Sequence, residues 1–316
     1  MQSFKNLVKQ RIRNGLGLSE IEKKLGNIRQ LIFDQLRVKK ITDDEFVMIL
    51  EYPPSRDYQP RWGYTHPPHT ELTALFAKNR ANYVKILEEL SDLKPFFEKI
   101  NRFFPSSSSE EPGWVGGPIN AIDSALLYYF VATSKPRIYL EIGSGVTTLF
   151  AARAKRDRDL ETRIISIDPQ PRAEVDKVCD TVIREGLETV DLSIFSKLQA
   201  GDIVFMDGTH RSFMNSDVTI FMLDVLPKLQ PGVIVHFHDI VLPYDYPPSF
   251  SNWYWNEQYI LAAYLLGKGD KIEILMPSQF MSRTPELKQV LTPLLEIWQE
   301  DVASWLEGGS LWFTHV

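Results

Sequence analysis

The run Tyr139-Leu140-Glu141-Ile142-Gly143-Ser144-Gly145-Val146-Thr147-Thr148 constrains this chain more than any other stretch. A β-rich segment, 137–142, breaks into two glycines and continues as a helical pattern over 147–155. A strand, a glycine turn and a helix in that order bring backbone N–H groups and a helix N-terminus against a ligand. The glycines matter because a side chain there would hold the ligand away from the backbone.

The rest of the chain supports a large α/β reading. Its 316 residues exceed a typical domain of about 100–200 residues, so one large domain plus an extension is expected. Hydrophobic content of 44% and charged content of 24% are those of an ordinary globular protein. The single cysteine, Cys179, has no internal disulfide partner, which fits a reducing, cytoplasmic setting. No apolar run is long enough to span a bilayer, and no signal-peptide pattern is seen. A net charge of −6 without a nucleic-acid-binding motif argues against nucleic acid as a partner.

The region 1–110 reads as a mainly helical extension. Basic residues dominate 1–40, where the acids are Glu20, Glu22 and Asp34; this reads as an exposed basic face on a helical extension or as a contact with a membrane or other anionic partner. Ser19 and Glu22 have capping-box spacing. Leu18, Ile21, Leu25, Ile28, Ile32 and Leu36 then form one apolar helix stripe, which could pack on its own domain or build a homodimer. Prolines punctuate 51–69, a segment rich in aromatics, arginine and histidine that could wrap the domain or cover a substrate. A long helix is expected over 71–90, and the serine run 106–109 with Glu110-Glu111-Pro112-Gly113 reads as a linker.

From residue 114 to 316 strands and helices alternate. Strands are expected at 137–142, 163–168, 180–184, 202–207, 232–237, 271–276 and 310–315, with helices at 119–133 and 256–266 among those between them. Such alternation implies a mostly parallel sheet covered on both faces, with ligands at the carboxyl ends of its strands. The strand at 163–168 ends in Asp168, where an acid can take two ribose hydroxyls. This much would suit a nicotinamide-dependent oxidoreductase. But Thr148 stands where the dinucleotide fingerprint wants Gly or Ala, and Glu141 suits a ligand carrying ammonium or sulfonium charge.

Two neighbouring strand ends carry acid and imidazole together. One presents Asp207-Gly208-Thr209-His210, the other His238-Asp239. Carboxylate plus imidazole suits a divalent cation, although single aspartates at such places often only cap turns. His236, two residues deeper, reads as a core histidine, and Asp191 as a helix cap. After the last of these strand ends comes an aromatic-dense loop whose Trp253, Tyr254 and Trp255 either wall an acceptor pocket or pack the next helix.

The order Glu141-Ile-Gly143-Ser144-Gly145, Asp168, Asp207-Gly-Thr-His210, His238-Asp239 resembles class I S-adenosylmethionine-dependent methyltransferases over residues 114–316. Within that class it looks most like metal-dependent small-molecule O-methyltransferases of the macrolide-sugar type. The resemblance implies a Rossmann-like, seven-stranded, mostly parallel sheet with its last strand antiparallel between neighbours. It implies S-adenosylmethionine held by Glu141 and Gly143 to Gly145, with Asp168 on the ribose. It implies Mg²⁺ or another divalent cation on Asp207 and Asp239, and His210 as general base for a sugar or secondary-metabolite hydroxyl. Where the family places two adjacent acids, this chain has His238-Asp239, so His238 departs from the pattern as a ligand. A non-catalytic scaffold that binds partners through 1–110 is the other reading, and the retained His210 and aspartates weigh against it.

Overall fold

In the computed structural model of the chain, the described residues are 38–40, 46–48, 58–106, 109–298 and 307–316. The chain divides into two compact units, Met1–Tyr58 and Gln59–Val316. Of the first, two short strands are described, β1 (Val38–Lys40) and β2 (Phe46–Met48), paired antiparallel. The capping box at Ser19, the apolar stripe 18–36, the basic segment up to residue 37 and residues 51–57 lie outside the described residues, and with them the basis for a homodimer.

The second unit is built on a seven-stranded sheet. Its strands are β5 (Ile138–Ile142), β6 (Arg163–Ile167), β7 (Thr181–Ile183), β8 (Ile203–Met206), β9 (Ile234–Phe237), β10 (Ile272–Pro277) and β11 (Leu311–His315). Their order across the sheet is β10-β11-β9-β8-β5-β6-β7. The five strands from β5 to β9 run parallel, and β11 is antiparallel to both β9 and β10. All seven sequence-derived strands are present, with ends displaced by a residue or two. The parallel members are nearly continuous apolar runs because helices cover both faces; every residue of β5 and β8 is buried.

Helix α3 (Ala121–Ser134) is buried from Ala121 through Ala132, and α4 (Val146–Asp157) follows the glycine turn. Inside, the Phe130 ring stacks on Trp312 at 4.3 Å and Phe205 on His236 at 3.8 Å. His236 is thus the expected core histidine: it lies in an aromatic stack and its Nε2 is 2.9 Å from Ser310 Oγ. Burial pushes its pKa well below the ordinary imidazole value, so it is neutral.

Two local expectations are corrected. The helix expected over 71–90 is two, α1 (Thr70–Ala77) and α2 (Arg80–Ser91). Between them Asn79 turns its amide onto the carbonyl of Ile274 in β10, 2.8 Å away, so a tertiary bond replaces helical continuity. The linker 106–113 ends in a strand: β4 (Gly113–Val115) pairs parallel with β3 (Asn101–Phe103). Gly113 permits this, since a Cβ there would sit 2.3 Å from the Phe104 nitrogen. Both corrections lie in or beside residues 59–110, which belong to the same compact unit as the sheet. Among the described residues no helix is long and apolar enough to cross a membrane.

Buried Asp202 fastens the amino end of the central strands. Its Oδ1 accepts from Ile138 N at 2.8 Å, and its Oδ2 accepts from Gln199 N and Arg137 Nη2, each at 2.9 Å. Asp202→Ala should lower unfolding free energy by about 2–4 kcal/mol, measured by urea denaturation, because it strands buried donors and an ionic partner together.

Candidate active site

The ladder of the parallel sheet continues one residue past each strand. Asp168 N donates to Ile183 O, Gly143 N to Ile167 O, Asp207 N to Ile142 O and His238 N to Met206 O, all at 2.9–3.0 Å. Four residues singled out in the sequence therefore stand in one row along the carboxyl edge. Gly143 is required here twice over. Its φ is +80°, and a Cβ would lie 1.7 Å from the Asp207 carbonyl oxygen.

The glycine turn is tied from several sides. Ser144 N donates to Asp168 Oδ2 at 2.6 Å, and Gln170 N to Asp168 Oδ1 at 2.7 Å. Ser144 Oγ lies 2.7 Å from Ser166 Oγ. Gly145 N donates to Thr148 Oγ1 at 3.1 Å, and that hydroxyl donates onward to Glu141 Oε2 at 2.6 Å. Thr147 Oγ1 donates to Glu141 Oε1. Thr148 is thus a strut between turn and strand where a dinucleotide fingerprint would have a small residue for close packing.

Glu141 differs from its expectation. Its carboxyl is fully buried, and both oxygens accept threonine hydroxyls from the first turn of α4. Burial, opposed by those hydroxyls, pushes its pKa up to about 8.

On the other side of the row, His210, His238, Asp207 and Asp239 converge. His210 Nε2 is 3.4 Å from Asp207 Oδ1 and 3.3 Å from Asp239 Oδ2. His238 Nδ1 is 3.7 and 3.6 Å from the same two oxygens. Those last distances exceed a hydrogen bond, and both nitrogens of buried His238 lack a hydrogen-bond partner among the described residues. Asp207, His238 and Asp239 each offer one donor atom, all within 4.8 Å of one another. Spacings near 3.6 Å suit the edge between two ligands bound at about 2.0–2.2 Å to one cation. The residues present therefore fit a divalent ion, for which the departing His238 would offer a nitrogen donor.

The same acids act on the imidazoles. Burial opposes a proton on His210, yet Glu257, Asp207 and Asp239 outweigh it and raise its pKa. Burial likewise opposes one on His238, where Asp239 and Asp207 prevail. For Asp239, burial works toward neutrality, but His238, His210 and Arg172 hold its carboxyl below the usual range.

Two residues at this edge escaped the sequence reading. Asp217 accepts from Thr209 N and Thr209 Oγ1, both at 2.7 Å, and so folds the Asp207-to-His210 turn. Gly208 makes room for it, since a Cβ would meet Asp217 Oδ2 at 2.1 Å. Glu257, fully buried, has Oε2 2.9 Å from His210 Nδ1. An acid in the first turn of a helix ordinarily reads as a dipole partner, so only the fold brings it to a histidine 47 positions earlier. Asp191 caps the short helix 192–197, as expected, with Oδ1 accepting from Ser193 N at 2.9 Å.

The aromatic loop lies against this cluster. The Trp255 ring is 4.2 Å from that of His210, Trp253 is 4.7 Å from Trp255, and Phe250 is 4.2 Å from Trp253. Trp253 and Tyr254 are 43% and 45% exposed, so the ladder of rings runs from surface to imidazole. The proline-rich segment is pinned behind this loop: Arg61 N donates to Asp245 Oδ2 at 2.8 Å, Asp245 N to Trp62 O at 3.0 Å and His69 N to Pro243 O at 2.9 Å.

Residues 140–240 match the family model described as a methyltransferase domain. That span runs from the glycine turn through Asp239, and the sheet around it has the strand order and the antiparallel β11 expected of class I. Residues 140–240 therefore form a methyltransferase domain, set in a sheet with the class I strand order. No curated protein matches the sequence. Among solved structures it is similar to the O-methyltransferase TomG from Streptomyces achromogenes, involved in tomaymycin synthesis and bound to SAM, at 20% identity over 52% of this chain and 75% of that one, TM-score 0.35. It is also similar to an O-methyltransferase from Bacillus cereus in complex with SAH (16% identity, 61% and 82% covered, TM-score 0.33) and to an SAH-bound methyltransferase from Podospora anserina (16%, 68% and 95%, 0.36). At such scores the assignment rests on the family match and the strand order.

Glu141 gives this methyltransferase a pH-dependent stability. Its carboxyl binds a proton more tightly folded than unfolded, so its contribution is full below the ordinary value of 4.5 and is lost as pH rises through about 8. Glu141→Gln should flatten that decline, seen as a smaller fall in melting temperature across this window; an unchanged slope would remove Glu141 as its source.

Proposed function

We propose that this methyltransferase moves a methyl group onto a hydroxyl of a small acceptor, with His210 as general base. The carrying observation is the placement of His210 Nε2 within 3.4 Å of carboxylates at two strand ends, beside the glycine turn and with Glu257 behind the ring. A hydroxyl is a weak nucleophile until its proton has somewhere to go, and a positioned imidazole provides that.

S-adenosylmethionine, when bound, supplies an already activated methyl group. The chain's task is then alignment and proton removal. Backbone groups of Gly143, Ser144 and Gly145 form the turn on which the methionine part would rest. Asp168 is half-buried and keeps acceptor capacity beyond its two backbone bonds, enough for ribose hydroxyls. Glu141 serves this site through Thr147 and Thr148, holding the first turn of α4. Asp207, His238 and Asp239 would hold a divalent cation, which would lower the pKa of an acceptor hydroxyl brought to it. The rings of Phe250, Trp253 and Trp255 favour an acceptor whose hydroxyl sits on a flat or cyclic body, a sugar or a secondary metabolite among them. Tyr254 stands at their exposed end.

Calorimetric titration of S-adenosylhomocysteine should give micromolar binding, and Asp168→Ala should weaken it about 10-fold or more through loss of charge-assisted bonds. Unchanged affinity in that variant would free Asp168 from the ribose. His210→Ala should bind the same ligand normally yet transfer no methyl to any acceptor accepted by the wild type. Mn²⁺ titrated into the wild type should release heat that vanishes in Asp207→Ala; no heat in either would remove the cation.

A further inference from the structure

We propose that Glu257 is the positioning residue of His210, fixing the ring with Nδ1–H turned inward so that Nε2 faces the Asp207–Asp239 pair. This rests on His210 being the base proposed above. Three successive residues grip that histidine from three sides. Trp255 lays its ring 4.2 Å from the imidazole. Asn256 N and Glu257 N both donate to the His210 carbonyl, at 3.0 and 3.3 Å, while Asn256 Oδ1 accepts from Ser212 N at 2.7 Å. Glu257 Oε2 meets Nδ1 at 2.9 Å.

The carboxyl is an expensive group to place there. Glu257 is fully buried, and its Oε1 has no hydrogen-bond partner among the described residues. Among the described residues its ionic partner is His210, not a lysine or arginine. Removing a carboxyl from water without full compensation destabilises a fold, so stability does not account for it. Orientation does. A neutral imidazole carries one proton, and the partner on one nitrogen decides which nitrogen keeps a lone pair. With Nδ1 donating to Glu257, the nitrogen left to take a proton is the one directed at the strand-end acids. His210 itself has φ +59°, a conformation a β-carbon resists, and the two N–H bonds to its carbonyl hold it there.

The test reads the ring rather than turnover. In full-length protein carrying ¹⁵N-labelled histidine, the wild type should show a slowly exchanging, downfield imidazole proton on Nδ1, assigned to His210 by its disappearance in His210→Asn. Glu257→Ala should lose that proton while binding S-adenosylhomocysteine within about 2-fold of wild type, against a roughly 100-fold loss of turnover expected for a mispositioned base. Absence of the proton in wild type, or its survival in Glu257→Ala, overturns the proposal. Should the alanine variant fail to fold, Glu257→Gln decides: the carboxamide keeps an acceptor without the charge, so the proton should remain and move upfield, and an unmoved signal overturns the proposal. If His210→Ala still transfers methyl, the base assignment falls while the ring signal continues to report on the Glu257 contact.

Discussion

The carbonyl of Asp207 occupies the space that a side chain at residue 143 would fill. That close approach welds two different devices together. The glycine turn belongs to β5 and opens helix α4; the acid and imidazole cluster belongs to β8 and β9. Because Gly143 has no Cβ, the turn and the cluster share a wall. The ladder bonds at Asp168, Gly143, Asp207 and His238 fix the same relation along the sheet. A hydrogen-bonded parallel sheet is stiff, so the spacing between the cofactor edge and the chemical edge is set by backbone geometry and not by flexible side chains.

The cluster itself balances charge in a confined place. Two aspartates and one glutamate meet two imidazoles, and the acid in the deepest position, Glu257, pairs with His210. Both His210 and Asp239 are held at positive φ, +59° and +55°. Conformations of this kind persist only where surrounding bonds over-determine them. Here Asp217 grips the turn before His210, the start of α5 (Glu257–Lys268) takes its carbonyl, and Ile240 N donates to Gly309 O just after Asp239. The strain points the two side chains inward, toward one another and toward the row of strand ends.

What the sequence made legible followed from periodicity and punctuation. A buried parallel strand is a nearly continuous apolar run, so β5, β6, β8 and β9 announce themselves, and the residue ending each run is a ligand candidate by topology. That logic reached Asp168, Asp207, His210, His238 and Asp239 together. It could not reach Glu257 or Asp217, whose placement depends on how the loops after β8 and β9 fold onto each other. Nor could it show that the hydroxyls of Thr147 and Thr148, one helical turn away, bond to both oxygens of Glu141. The break at Asn79 was hidden for a similar reason, since its amide bonds to β10, nearly two hundred residues on.

The substitution of His238 for an acid has a physical consequence at the cation position. A site of three carboxylates would be strongly anionic and would need a cation to be tolerated once buried. Replacing one with an imidazole leaves a site whose two aspartates can be neutralised by the chain's own histidines or by an ion, depending on which is at hand. Metal binding then competes with protons for the same nitrogen and oxygens, because a ligating histidine must be neutral. If the proposed cation binds there, such an edge would take it up more readily as pH rises and would release the imidazoles from their ion pairs. His210, freed from the acids on its Nε2 side yet still held by Glu257 on the other, would then present an unprotonated nitrogen to whatever hydroxyl the aromatic ladder delivers.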